Sequence, residues 1–171
     1  WVYAGNEGGR GQVQLGDAEV LDTMVREAVW LVDECGLDGV QWDYEFCSDG
    51  DADFLALMRR TRSALPGGKL LSAAVPMWRA PLLRHWGWSE DYFAQVAQTA
   101  DQLVVMCYDS GYYLPRGYVH LVRQQAIRVT RAVARGNPEC RVLLGLPTYP
   151  DENSFLSHHV HAENIRLGLK G

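Results

Sequence analysis

The sequence has no run of about 18 apolar residues, no cluster of lysine and arginine, and no C-x-x-C spacing among its four cysteines. The first absence excludes a predicted membrane-spanning helix. The second, together with a formal net charge of −5, argues against a nucleic-acid-binding surface. The third gives no support to a zinc site or a thioredoxin-like redox motif, so free thiols are predicted. Neither a membrane nor a nucleic acid is an expected partner, whereas a neutral substrate is compatible with this charge.

The composition is ordinary for a globular domain with a sizeable core, at 47% hydrophobic and 22% charged residues over 171 positions. Strand patterns near 1–4, 40–44, 69–75, 102–108 and 141–146 alternate with helix patterns near 17–35, 52–65, 89–99, 115–136 and 157–169. Asp17 and Ser89 are predicted helix N-caps, and Pro115 suits a first helical turn. This alternation predicts parallel strands joined by helical crossovers.

The segment 36–45 places two carboxylates at the end of one predicted strand. Asp43 and Glu45 are two residues apart, so their side chains project from the same face of that strand. Carboxylates at the end of a buried strand are costly to bury without a compensating role. The pair is therefore a candidate for acid catalysis, in which the charge of one carboxylate raises the pKa of the other. The alternative is a solvated glutamate at a strand end.

Three short motifs follow one another along the chain: Asp38-Gly39-Val40-Gln41-Trp42-Asp43-Tyr44-Glu45, Met106-Cys107-Tyr108-Asp109 and Gly145-Leu146-Pro147-Thr148-Tyr149. They resemble, in order, the signatures on the fourth, sixth and seventh strands of glycoside hydrolase family 18, the chitinase-like (β/α)8 barrels. In the first motif Gln41 stands where the family pattern has its middle aspartate. A single match could arise by chance, but three in this order are a strong signal.

This resemblance implies an α/β fold, the (β/α)8 TIM barrel, with only about strand 3 through helix 7 present in this chain. A complete barrel typically has about 250 residues, and strands one, two and eight have no counterpart in the sequence. We therefore expect residues 1–171 to form one partial catalytic barrel that is a piece of a larger protein. An open partial barrel would leave two strand edges unpaired.

The resemblance also implies catalytic roles for three residues, in a reaction that uses the acetamido group of the substrate as the nucleophile. Glu45 would protonate the glycosidic oxygen and later activate water. Asp43 would hold the acetamide N–H, and Tyr108 would donate its hydroxyl to the acetamido carbonyl. No metal or other cofactor is implied.

The candidate substrate-binding residues are Asp109, Met106, Tyr149, Trp78 and Gln41. Asp109 would hydrogen-bond sugar hydroxyls, Tyr149 is a weaker predicted contact, and Trp78 could stack on a sugar ring. Met106 shares a face with Tyr108, and filling of the barrel interior is favoured over ligand contact. Gln41 is predicted to donate its amide N–H to Asp43 and so keep that carboxylate ionised over a wider pH range.

Other residues have competing interpretations. Asp38 is expected to be structural. Four loop aromatics are as consistent with packing as with sugar contact: Trp86, Trp88, Tyr112 and Tyr113. For the cluster of His158, His159 and His161, a solvated helix end is favoured over a metal site, because no carboxylate or cysteine stands at ligand spacing.

The leading hypothesis is a retaining hydrolase of β-1,4-linked N-acetylglucosamine glycans, with chitin or chitooligosaccharides first and peptidoglycan or N-glycan cores second. The alternative is a catalytically weak or inactive lectin of the same fold that binds chitooligosaccharides. Since such lectins usually lose the acid, the presence of Glu45 favours the enzyme. A third interpretation is a non-glycosidic α/β domain with chance matches. The resemblance alone favours a secreted or extracytoplasmic location.

Overall fold

The computed structural model of the chain describes residues 2–5, 13–45, 47–79, 87–150 and 158–171. Strands and helices alternate along it, as the sequence predicts. In chain order the elements are β1 (Val2–Gly5), α1 (Ala18–Glu34), β2 (Gly39–Glu45), α2 (Ala52–Ala64), β3 (Leu70–Val75), α3 (Glu90–Ala97), β4 (Gln102–Met106), α4 (Pro115–Gly136), β5 (Arg141–Gly145) and α5 (Ile165–Gly168).

The five strands form one parallel sheet in the order β1-β2-β3-β4-β5. Each strand therefore pairs with the next one in the chain, and a helix lies between them in sequence. This sequential order is that of neighbouring strands in a (β/α)8 barrel. Because all strands run the same way, their carboxyl ends meet at one edge, and the three motifs lie at the ends of β2, β4 and β5.

The two faces of the sheet differ in what covers them, which is clearest on β2. Trp42 is fully buried, and its indole Nε1 donates to the hydroxyl of Thr61 on α2 at 2.9 Å. Tyr44 points the same way, and its ring stacks on Phe54 of α2 with centroids 6.1 Å apart. Side chains alternate along a strand, so Gln41 and the two carboxylates of β2 lie on the opposite face, away from the helices.

Helix starts follow local chemistry closely. Asp17 caps α1 and Ser89 caps α3, each side chain accepting from backbone N–H groups of the first turn, and both caps were predicted. Asp51 caps α2 in the same way. Pro115 occupies the first turn of α4, where its missing N–H leaves no helical bond unmade.

The predicted last helix was wrong in its extent. Ser157 lies outside the described residues, residues 158–164 form turns, and only Ile165–Gly168 is helical. The helix begins where the Asn164 side chain accepts from the backbone N–H of Leu167 at 3.0 Å. The preceding segment directs the side chains of His158, Ala162 and Glu163 into the protein interior.

Smaller differences concern strand ends and the cysteines. β4 ends at Met106, two residues earlier than predicted, so Tyr108 lies beyond the strand. All four cysteines are free, as predicted. Cys35, the C-cap residue of α1, is exposed, and the other three are buried. Within the described ranges, no helix has the length and apolar character needed to cross a membrane.

The glycine of the first motif has a packing role that generates a prediction. A Cβ atom at Gly39 would lie 2.0 Å from the carbonyl oxygen of Leu70, on the neighbouring strand. Gly39→Ala should therefore force β2 and β3 apart and lower the free energy of unfolding by about 2 kcal/mol or more, measured by urea denaturation. Gly67→Ala is the control, since a Cβ there meets nothing within 4 Å. Equal stability of the two variants would contradict the close approach.

Candidate active site

The carboxyl edge of the sheet brings together the predicted catalytic residues of β2 and β4. Asp43 and Glu45 project from the same face of β2, opposite to α2, as the strand spacing predicts. Both are partly buried. The negative charges of Asp43, Glu45 and Asp109 each raise the pKa of the Tyr108 hydroxyl. The three carboxylates and the phenol therefore share one site.

Tyr108 is positioned by the chain around it. The hydroxyl of Tyr118, on α4, donates to the carbonyl oxygen of Cys107 at 2.7 Å and holds the end of β4 against the helix. Gly145 on β5 lies beside the Tyr108 ring, since a Cβ there would be 3.4 Å from Cε1. The absent side chain leaves room for the aromatic ring at this edge.

Asp109 follows with a backbone φ of 52°, the only positive φ of a residue other than glycine in the described ranges. This left-handed conformation is uncommon for a residue with a side chain, and it occurs preferentially at functional sites. Its Oδ1 accepts a hydrogen bond from the hydroxyl of Tyr149 at 3.0 Å. The Tyr149 ring also meets that of Tyr108 edge-on, with centroids 6.4 Å apart, so both predicted sugar contacts adjoin Tyr108.

Burial sets the protonation of this site. Desolvation raises the pKa of Glu45, and the charges of Asp43 and then Asp109 raise it further. The contribution of Asp43 was predicted, but desolvation is the larger cause. Burial and the same carboxylates raise the pKa of Tyr108 to about 12. Near neutral pH the phenol therefore remains a hydrogen-bond donor, and Glu45 stays protonated to higher pH than an exposed glutamate.

The Gln41 side chain does not make the predicted hydrogen bond to Asp43. The hydroxyl of Ser72 accepts from the amide of Gln102 at 3.2 Å and donates to Gln41 Oε1 at 3.0 Å. Among the described residues, the buried atoms Gln41 Nε2 and Asp43 Oδ1 have no hydrogen-bond partner. Burial accordingly raises the pKa of Asp43, the opposite of the expected effect of Gln41.

Two further candidates are placed as follows. Met106 is half-buried at the end of β4, opposite Gly145 of β5, on the same face as Tyr108. Trp78 contacts α4: its backbone N–H and carbonyl both bind the Gln125 amide, at 2.6 and 2.9 Å. The guanidinium of Arg128 lies 5.4 Å from the centre of its ring. Sugar contact by Met106 and Trp78 stays a prediction.

The loop aromatics divide into packing and exposed residues. Trp88 is fully buried and packs edge-on against Tyr92 and Phe93. It is therefore a core residue, and packing is its role of the two that the sequence left open. Tyr112 and Tyr113 are exposed, and Trp86 lies outside the described residues.

Two buried residues near the site were missed by sequence reasoning. His158 was predicted at a solvated helix end, which is wrong, because its side chain is buried between Tyr149 and the carboxylate of Glu163. Glu163 was not singled out at all, yet it binds the loop after β4, more than 50 residues earlier. Its segment has no periodicity or motif that signals such a distant contact. No group of three or more His, Cys, Asp or Glu residues suited to a metal ion occurs in the described ranges.

Comparison with known proteins gives matches among solved structures. No family model and no curated protein matches the chain. A Bacillus subtilis protein, YdhD, described as a sporulation-specific glycosylase, is 23% identical with a TM-score of 0.61, and the match covers 86% of this chain and 52% of that one. A class V chitinase from Pseudomonas fluorescens is 22% identical with a TM-score of 0.61, over 86% and 49% of the two chains. The spore cortex-lytic enzyme SleL of Bacillus cereus is 16% identical with a TM-score of 0.60, over 89% and 39%.

The chain thus spans about half the length, or less, of the solved structures it matches. At these identities the likeness concerns the fold. It confirms the predicted partial (β/α)8 barrel and the resemblance of this chain to the chitinase-like barrels.

The electrostatics of the edge generate a prediction that needs no substrate. Asp43→Asn removes a negative charge beside Glu45, so the pKa of Glu45 should fall, measured by carbon-13 NMR titration of its carboxyl group. Asp38→Asn is the control, because it removes a carboxylate at the other end of β2 from Glu45. An unchanged pKa of Glu45 in Asp43→Asn would show that the two carboxylates do not share a site.

Proposed function

We propose that this chain carries the catalytic edge of a retaining glycoside hydrolase that cleaves β-1,4-linked N-acetylglucosamine glycans. The observation that carries the proposal is the meeting of Glu45, Asp43 and the Tyr108 hydroxyl at the carboxyl edge of a parallel sheet. In barrels of this type the reaction takes place at that edge. The resemblance of the three motifs to family 18 supports the assignment of a role to each residue.

In the first step, the acetamido carbonyl oxygen of the substrate attacks the anomeric carbon while the bond to the glycosidic oxygen breaks. Glu45 gives its proton to the departing oxygen, a role that suits a carboxyl group whose pKa is raised by burial. Asp43 accepts the acetamide N–H and so aligns the carbonyl oxygen with the anomeric carbon. The Tyr108 hydroxyl donates a hydrogen bond to the same acetamido group.

In the second step, water attacks the anomeric carbon of the oxazolinium intermediate and the bond to the acetamido oxygen breaks. The Glu45 carboxylate, ionised by the first step, accepts the proton of that water. Two displacements at one carbon retain its configuration. Asp43 stabilises the positive charge of the intermediate, because an ionised carboxylate in a partly desolvated site interacts strongly with a cation.

Chitin or chitooligosaccharides are the substrates we favour. The negative net charge suits a neutral polymer, and chitinases are among the solved structures of similar fold. A spore cortex-lytic enzyme of the same fold makes peptidoglycan the second choice. Both polymers provide the acetamido group that the mechanism requires.

The proposal predicts a specific effect of one substitution in the full-length protein. Glu45→Gln keeps the shape of the side chain but removes the transferable proton, so kcat on a chromogenic chitotrioside should fall by at least ~100-fold. The affinity for chitotriose, measured by calorimetry, should change little. Glu139→Gln, at an exposed glutamate before β5, is the matched control and should behave as wild type.

A near-normal rate in Glu45→Gln would show that Glu45 is not the acid. Wild-type protein that binds chitotriose without cleaving it would instead identify the chain as a lectin of the same fold.

A further inference from the structure

Glu163 is a carboxylate at 1% exposure that takes no part in the reaction described above. It lies in the turn before α5, directly before the capping residue Asn164. A buried carboxylate without hydrogen bonds would be strongly destabilising. Its partners therefore indicate what the side chain does.

Among the described residues, three groups donate hydrogen bonds to Glu163, and all three belong to the loop that follows Asp109. Oε1 accepts from the Ser110 hydroxyl at 2.5 Å and from the backbone N–H of Tyr112 at 3.0 Å. Oε2 accepts from the backbone N–H of Ser110 at 3.2 Å. The carboxylate thus fixes two peptide groups next to the residue whose backbone is held in the left-handed region.

His158 extends this arrangement to Asp109 itself. Its Nδ1 lies 3.4 Å from Glu163 Oε2 and 3.9 Å from Asp109 Oδ1. Its ring packs on that of Tyr149, with centroids 4.9 Å apart. Tyr149 in turn donates its hydroxyl to Asp109. The Asp109 carboxylate, which is 45% exposed, therefore adjoins two groups, Tyr149 and His158, and His158 lies between it and Glu163.

We propose that Glu163 is a positioning residue for substrate: it sets the backbone of residues 110–112, and thereby the direction in which the Asp109 carboxylate meets the sugar. This inference rests on the proposed function and on the predicted role of Asp109, which is to bind sugar hydroxyl groups that do not react. Contacts of that kind are made equally in the ground state and the transition state. Their loss raises KM and leaves kcat nearly unchanged.

The competing explanation is that Glu163 only stabilises the fold. Loss of stability lowers the fraction of active protein, and hence the apparent kcat, without changing KM. Asp101→Asn is the control for this effect. Asp101 precedes β4, and its carboxylate accepts from Arg62 at 2.8 Å and from the backbone of Leu71 at 2.7 Å, at the amino ends of the strands.

The test is a double-mutant cycle on the full-length protein with a chromogenic chitotrioside. We expect Glu163→Gln to raise KM about 10-fold with kcat within about 3-fold. Asp109→Asn should raise KM at least as much, and because it also removes a charge that raises the pKa of Glu45, the two variants are compared by KM. The double variant should be no worse than Asp109→Asn alone, because both act through one contact.

Asp101→Asn should lower the melting temperature and leave KM unchanged. Ser110→Ala, which removes one donor to Glu163, should raise KM by a smaller factor and serves if Glu163→Gln does not fold.

An unchanged KM in Glu163→Gln, or in Ser110→Ala where that variant serves, would overturn the inference while leaving the proposed function intact. Additive effects in the double variant would overturn it as well. Failure of the proposed function gives a different result, since wild-type protein would then not cleave the chitotrioside, whether or not it bound chitotriose in calorimetry.

Discussion

The site depends on which face of β2 carries the two carboxylates, and Trp42 decides this. Its indole is buried against α2 and hydrogen-bonded to Thr61, so a shift of one residue would expose the indole and bury Asp43 and Glu45 under the helix. The pairing of β2 with β3, which Gly39 permits, holds the same register from the other side. The position of Glu45, the proposed acid, is thus a consequence of core packing on the opposite face of the strand.

Partial burial then raises the pKa values of the two carboxyl groups. Desolvation is the first cause of the raised pKa of both Asp43 and Glu45, and neighbouring charges add to it only for Glu45. Gln41 does not offset this, because its amide nitrogen makes no hydrogen bond to Asp43 or to any other described residue. Gln41 stands where the family pattern has a carboxylate, and Asp43 Oδ1 has no hydrogen-bond partner among the described residues.

The features that could be predicted from the sequence are those that depend on short segments of the chain. The spacing of Asp43 and Glu45, the capping residues Asp17 and Ser89, and the order of the motifs each depend on neighbours in the chain, and the structure places them as expected. The orientation of Gln41 depends on hydroxyl and amide groups of two other strands, and no local pattern reports it. The role of Glu163 depends on a loop more than 50 residues away, and the turn that buries His158 was predicted as part of a helix near 157–169.

The central claim is that Asp43, Tyr108 and Glu45 together bind and activate an N-acetyl group at the carboxyl edge of the sheet. The most direct measurement is a crystal structure of the full-length protein with a thiazoline analogue of the oxazolinium intermediate. The account predicts the ring nitrogen within hydrogen-bond distance of Asp43, the Tyr108 hydroxyl against the sulfur, and the Glu45 carboxyl group beside the anomeric carbon. An analogue bound away from these residues, or a covalent glycosyl bond to either carboxylate, would contradict it.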